Sequence, residues 1–157
     1  MSMLLLEKEL YIKDCSKEIR CLARTRTLTL FSYLDASRKA RALQFLYEAE
    51  LISSNPKVNL NGSDLRKADL SNARLNGVEI KGAYFCGANL RGASFANAIL
   101  RGCDFNGADL SECDFSLADM KGANLENTKR KNIKLEGANI DWTILQKIKT
   151  TNKKENI

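Results

Sequence analysis

The stretch "LRGCDFNGADLSECDFSLADMKGANL", residues 100–125, sets Leu100, Phe105, Leu110, Phe115, Met120 and Leu125 five residues apart. Neither regular backbone repeats at that interval. On an α-helix such positions would step by about 140° and scatter around the axis. In an extended segment, residues two apart share a face, so the small residue two before each large one points the same way. The residues that follow must then turn a corner. Glycine takes a positive φ at little cost, and asparagine is the next most tolerant residue. Gly102, Gly107 and Gly122 stand at that corner, two residues after a large one. A chain that runs straight and turns, again and again, winds into a coil with one apolar lining. Its backbone pairs with the coils on either side, as in a solenoid.

Working outward, the beat runs unbroken from Leu60 to Leu125, is interrupted by Arg130, and resumes at Leu135, Ile140 and Leu145. Of these eighteen units, ten carry Ala two residues before the centre, and Cys103 and Cys113 fill two more such places. All nine glycines fall two residues after a centre, which ties them to the corner rather than to flexibility. Phe85 with Phe105, and Phe95 with Phe115, recur at twenty residues, which suits four units per turn. The same four recur at ten, so spacing alone leaves the number of sides open. Arg130 would put a charge into the column of Leu70, Leu90 and Leu110. An unpaired buried charge costs several kcal/mol, so the chain is expected to bulge outward and be irregular near 127–133.

The segments "SDLRKADLSNARL", "GANLRGASF" and "GADLSECDF" resemble the A(D/N)LXX motif of pentapeptide-repeat proteins. The resemblance spans residues 58–128 without a break and continues more loosely to 145. It implies a mainly β solenoid, a right-handed four-sided β-helix with a turn at each corner. Eighteen units then give about four and a half coils, roughly 22 Å tall at ~4.8 Å between paired strands.

Open solenoid edges are normally capped. Residues 1–57 read as a helical cap, with helices near 3–24 and 35–52 joined by an ambiguous "TRTLTLFSYL". Asp35 is the expected N-cap. Ala36, Ala40, Leu43, Tyr47 and Leu51 line one face of the later helix. Leu46, Ala49, Phe45 and Ile52 lie round towards the other, which predicts a helix sandwiched between the first coil and the earlier helix. Residues 58–145 form the solenoid and 146–157 a basic tail, with Trp142, Ile144 and Leu145 placed to cover the last coil. The stretch 22–52 also resembles, less specifically, a segment preceding the repeats in some cyanobacterial proteins that carry membrane spans further upstream.

Composition narrows the chemistry. The chain has no histidine, and its five cysteines lack CxxC spacing, which removes most zinc patterns and every His-based catalytic arrangement. No apolar run reaches the length of a membrane span, so a cytoplasmic protein is expected. The net charge of +6 divides as +3 for residues 1–57, 0 for 58–145 and +3 for 146–157. The basic excess belongs to the ends, which argues against a nucleic-acid surface on the body.

Four candidate groups follow. Asp104, Asp109, Asp114 and Asp119 each precede a centre, so in a four-sided coil they point outward from four faces as a solvated belt. Lys81, Arg101 and Lys121 each follow a centre at twenty-residue spacing. They should stack on one face, costing about 0.8 kcal/mol per neighbouring pair in water unless Glu79 and Asp119 relieve them. They are the candidate docking ladder for an anionic partner. Cys103 and Cys113 replace Ala in the lining and should be inert space-fillers, as should Cys15 in its helix stripe, while Cys86 should be exposed and the most reactive thiol.

No catalytic, cofactor or metal residues are assigned, and a filled lining leaves no room for a small-molecule substrate. The expected function is a rigid, non-catalytic protein-interaction module, with a homodimer through a coil end as a further option. The family resemblance also implies an alternative, since some members mimic DNA and shield type II topoisomerases; neutral repeats disfavour it. A basic-ended anchor for a membrane surface or nucleic acid is the third reading, weakened by modest charge and missing aromatic interleaving.

Overall fold

A computed structural model describes residues 17–52 and 58–141. Two helices come first, α1 at Lys17–Tyr33 and α2 at Ala36–Glu48. Then twelve isolated parallel bridges, each between residues twenty apart, join the repeats from Asp64↔Tyr84 to Asp119↔Asn139. Twenty residues per turn means four pentads per coil. The bridges form four ladders: Asp64–Tyr84–Asp104–Asn124, Asp69–Asn89–Asp109–Lys129, Arg74–Ser94–Asp114–Lys134 and Glu79–Ile99–Asp119–Asn139. Corners interrupt the chain so often that the β-structure of the described repeats consists of single-residue bridges rather than extended strands.

The hydrogen bonds explain the register. From Leu65 to Met120 each centre donates to the residue nineteen on, as Leu70 N–H does to Asn89 O and Leu90 N–H to Asp109 O. From Tyr84 onward the residue before each centre donates backwards, as Asn89 N–H does to Ala68 O. At the corners, centre carbonyls such as Leu90 O and Leu100 O accept from the N–H three residues later. Every corner residue from Gly62 to Gly137 has positive φ. That is the requirement of a turn whose third residue is left-handed. Asn72, Asn97, Asn127 and Asn132 meet it as expected, but so do Lys67, Glu112 and Leu117. The stacking of whole coils imposes the conformation even where the residue resists it.

The lining is dry. Leu65, Leu75, Ile80, Phe85, Leu90, Phe95, Leu100, Phe105, Leu110 and Phe115 are fully buried. Phe105 stacks on Phe85 with centroids 5.0 Å apart, and Phe115 on Phe95 at 5.4 Å, while neighbouring columns meet edge-on. Contacts of both kinds are favoured ring geometries.

The bulge expected near 127–133 is absent. Asp109↔Lys129 and Asp114↔Lys134 continue the ladders across Arg130, and Asn127 and Asn132 keep the corner conformation. Arg130 is half-buried, as are Ile133, Leu135 and Ile140 beside it. A partly exposed position lets the guanidinium reach water, so the charge costs too little to break the register.

The helices also depart from expectation. "TRTLTLFSY" is helical and belongs to α1. Its threonines tolerate the helix by bonding back, Thr25 Oγ1 to Cys21 O at 3.0 Å and Thr27 Oγ1 to Ala23 O at 2.8 Å. The part of the expected 3–24 helix before Lys17 lies outside the described residues. Asp35 is the N-cap of α2, its carboxylate accepting from Arg38 N–H at 2.8 Å. α2 stops at Glu48 rather than 52. Glu50 is left-handed at φ 55°, its N–H donates to Tyr47 O, and Leu51 N–H donates to Leu46 O. That double bond pattern closes a helix, and it turns Leu51 and Ile52 into the core.

The buried face of α2 runs through Lys39, Ala42, Leu43 and Leu46, between the two faces read from the sequence. Phe31 of α1 joins the same core, and both helices bond directly to the first coil. α2 is therefore not a simple spacer between α1 and the solenoid.

Candidate interaction faces

The outer surface is built from three positions per pentad: the residue before the centre, the residue after it, and the corner. Because coils stack in register, each position repeats as an axial column. Asn61, Lys81, Arg101, Lys121 and Asp141 form one such column, tied through Gly62 N–H to Lys81 O, Gly82 N–H to Arg101 O and Gly102 N–H to Lys121 O. The three cations singled out by spacing are thus brought together on the Glu79 ladder's face.

Their charge is largely answered on that face. Lys81 Nζ lies 2.8 Å from Glu79 Oε1, and Arg101 Nε pairs with Asp119 Oδ2. Partial burial pushes the Asp119 carboxyl up, but the hydrogen bonds from Arg101 and from the Lys121 N–H carry it below its ordinary value. Asp141 takes the Gly122 N–H at 3.0 Å. Among the described residues Lys121 is the cation of this column without an ion pair. Exposed pairs of this kind are worth about 0–1 kcal/mol each, so they relieve repulsion without locking the face.

The four aspartates of the third coil sit on four different ladders, so no two share a face. Each is satisfied locally. Asp104 accepts from the Cys86 thiol at 3.1 Å, from Asn106 N–H and from Asn124 Nδ2, and these bonds hold it low against partial burial. Asp109 is pushed up by burial but held low overall by Ser111 and by Lys129 and Arg91 nearby. Asp114 is lowered by Ser116, with help from Lys134. Lys129 and Lys134 sit one coil above Asp109 and Asp114, which gives "KRKNIK" a local electrostatic role. All four stay ionised near neutrality, and none has the raised affinity for a proton that an acid catalyst needs.

Cys103 and Cys113 are fully buried in the lining, with Sγ 2.9 Å from Ile80 O and 2.8 Å from Leu90 O. Burial pushes both thiols up to about 12. Cys86 is half-buried rather than exposed, and its burial and its bond to Asp104 raise its pKa. Among the described residues the exposed cysteine is Cys21 on α1, so the expectation about the most reactive thiol moves there. Cys15 lies outside the described residues. Among the described residues no three His, Cys, Asp or Glu side chains converge as a metal site, and no helix is long and apolar enough to cross a membrane.

The sequence reading missed a buried pair. Lys39 is only 5% exposed and its Nζ lies 3.2 Å from Asp64 Oδ1 and 3.4 Å from Arg66 O. Arg66 binds the same carboxylate, and the Arg66 hydrogen bond comes first among the causes that hold Asp64 far below its usual range. Nothing in the local sequence marks Lys39, because its burial depends on where α2 lands.

The model of the family described as pentapeptide repeats matches residues 57–92 and 88–127, with eight copies. No match is found among the curated proteins. Among solved structures, the chain is similar to HetL, a pentapeptide repeat protein involved in heterocyst differentiation regulation from the cyanobacterium Nostoc sp. strain PCC 7120. It is 33% identical over 55% of this chain and 42% of that one, with a TM-score of 0.47. It is also similar to the Nostoc PCC 7120 pentapeptide repeat protein alr5209, at 38% identity over 50% of this chain and 64% of that one, TM-score 0.49. Rfr23 from Cyanothece 51142 is 26% identical over 54% of this chain and 60% of that one, TM-score 0.41. The chain therefore spans less than two thirds of each of these relatives.

Proposed function

Residues 57–127 of this chain belong to the pentapeptide-repeat family, whose fold is a right-handed β-helix, and from that premise we propose that the chain is a non-catalytic interaction module. The proposed organisation is a helical cap over residues 1–57, a four-sided solenoid over 58–145 and a basic tail over 146–157, of which residues 1–16, 53–57 and 142–157 lie outside the described residues. The observation that carries this reading is the filled interior: stacked Leu and Phe columns occupy the space a substrate would need. What remains chemically available is the outside, a set of flat faces with side chains at fixed intervals.

The partner proposed is another protein, met on the Lys81–Arg101–Lys121 face. Pairing of Lys81 and Arg101 leaves Lys121 as the cation best able to meet an acidic side chain. The cytoplasm is the proposed compartment. Neutral repeats do not favour topoisomerase shielding, which requires a surface that competes with phosphates.

The test compares crosslinked partners recovered from native lysate by the wild-type chain and by the Arg101→Glu, Lys121→Glu variant. A partner held by this face is recovered by the first and lost by the second. Equal recovery of the same partner by both removes this face from the proposal.

A further inference from the structure

Two aliphatic side chains on the outside of the solenoid take no part in its lining. Of the outward residues in the four bridge ladders, Ile99 is the one aliphatic side chain. It is half-buried and sits between Glu79 and Asp119, on the face of Lys81, Arg101 and Lys121. Leu117 stands at the corner where that face begins, two residues before Asp119, and is 63% exposed. Among the described left-handed corners of the solenoid it alone is apolar; the others are glycines, asparagines, Lys67 and Glu112. Leu117 therefore combines an exposed apolar surface with a backbone that L-residues resist, and the coil gains from neither. Its side chain nonetheless has a prepared place. A Cβ added to Gly137, one coil on, would stand 2.7 Å from Leu117 Cδ2, so glycine there leaves the leucine room to lie along the corner. Backbone strain that packing does not explain collects where proteins bind.

We infer that Leu117 and Ile99 are the apolar anchor of the interaction face, and that its occupant is a protein segment carrying a large apolar side chain and a carboxylate. The inference rests on the face proposed above and adds what holds a partner there. Charge complementarity selects the occupant. Lys81 and Arg101 are paired within the face by Glu79 and Asp119, which leaves Lys121, at its far edge, to meet an acid. Leu117 and Lys121 are four residues apart in the chain, about 13 Å at full extension, so one short segment spans both. An apolar centre ringed by charged pairs is the arrangement in which truncating a single side chain loses much of the binding.

The experiment selects a phage-displayed library of random peptides on the full wild-type chain and measures the affinity of the selected peptides for it and for its variants. Selected peptides should combine a large apolar residue with Asp or Glu. Leu117→Gly and Ile99→Asn should each weaken them about tenfold, while Leu117→Met, which keeps the apolar surface, should stay within about threefold of wild type. Leu117→Gly relieves the corner, so its urea midpoint should not fall. Binding lost only together with a lowered midpoint assigns the effect to the fold and overturns the anchor. Binding that survives Leu117→Gly and Ile99→Asn but is lost in the Arg101→Glu, Lys121→Glu variant overturns the anchor and leaves the face standing. Binding that survives every variant overturns the face and the anchor with it. No enrichment over an unrelated bait overturns the segment as occupant. A wild-type dimer in sedimentation velocity that Leu117→Gly disperses gives the face to a second copy and likewise overturns it.

Discussion

Leu117 holds φ at 59° although it is neither glycine nor asparagine, and it is 63% exposed. A left-handed L-residue costs about 1–2 kcal/mol. Little packing offsets that cost at an exposed corner, so Leu117→Gly should stabilise the fold by about 0.5–1 kcal/mol after glycine's extra unfolded-state entropy. The converse holds at Gly107, where φ is 68° and an added Cβ would meet nothing within 4 Å. Gly107→Ala should therefore cost about 1 kcal/mol from backbone strain alone. Urea titration of the two variants reads both signs. Equal midpoints would mean that the corners do not carry the strain their dihedrals indicate.

Within the element, columns rather than single residues hold the coil. Phe105 is stacked between coils on Phe85 and meets Phe115 edge-on at 5.9 Å. Phe105→Ala removes a ring from a lining that cannot collapse without breaking register, and should cost about 3–5 kcal/mol. Chemical denaturation checks this, and a loss below about 1 kcal/mol would contradict a dry interior. The two lining thiols give a second check. Both have folded pKa values raised to about 12 by burial, against an ordinary thiol near 9. Below pH 9 both states keep the proton and pH has no effect. Between about 9 and 12 the unfolded chain loses it first, so stability should fall by about 1.4 kcal/mol per pH unit per thiol. Cys103→Ala, Cys113→Ala should flatten that slope. In thiol labelling of the native protein, among the four described cysteines Cys21 should react first, Cys86 slowly, and the lining pair only on unfolding.

For the whole molecule, the first coil and the last described coil are built differently. The first coil is covered by helices that bring both apolar side chains and cations to its edge. In the last described coil, Arg130 occupies a column otherwise filled by Leu70, Leu90 and Leu110, and it remains half-buried. Arg130→Leu continues the column and should stabilise the fold by about 1 kcal/mol, from the apolar area it adds to the lining. A raised urea midpoint with unchanged slope would show it. A lowered midpoint would mean that the arginine stem already packs as well as leucine does. The neutral repeats and the paired ladders leave the faces of the solenoid with little net field.

The local sequence by itself determined the pentad, the inward columns, the placement of every glycine at a corner, and the outward position of Lys81, Arg101 and Lys121. All of these follow from side-chain alternation and φ preference, which act over two to five residues. Tertiary structure decided what depends on neighbours twenty or more residues away. Coil stacking fixed four pentads per turn, forced Lys67, Glu112 and Leu117 into left-handed corners, and kept the ladders intact across Arg130. It also paired Lys81 and Arg101 with acids and drew Cys86 towards Asp104. Lys39 became buried because α2 docks over the first coil, and no pattern within α2 encodes where that coil lies. A charge on a helix reads as solvated until the surface it meets is known.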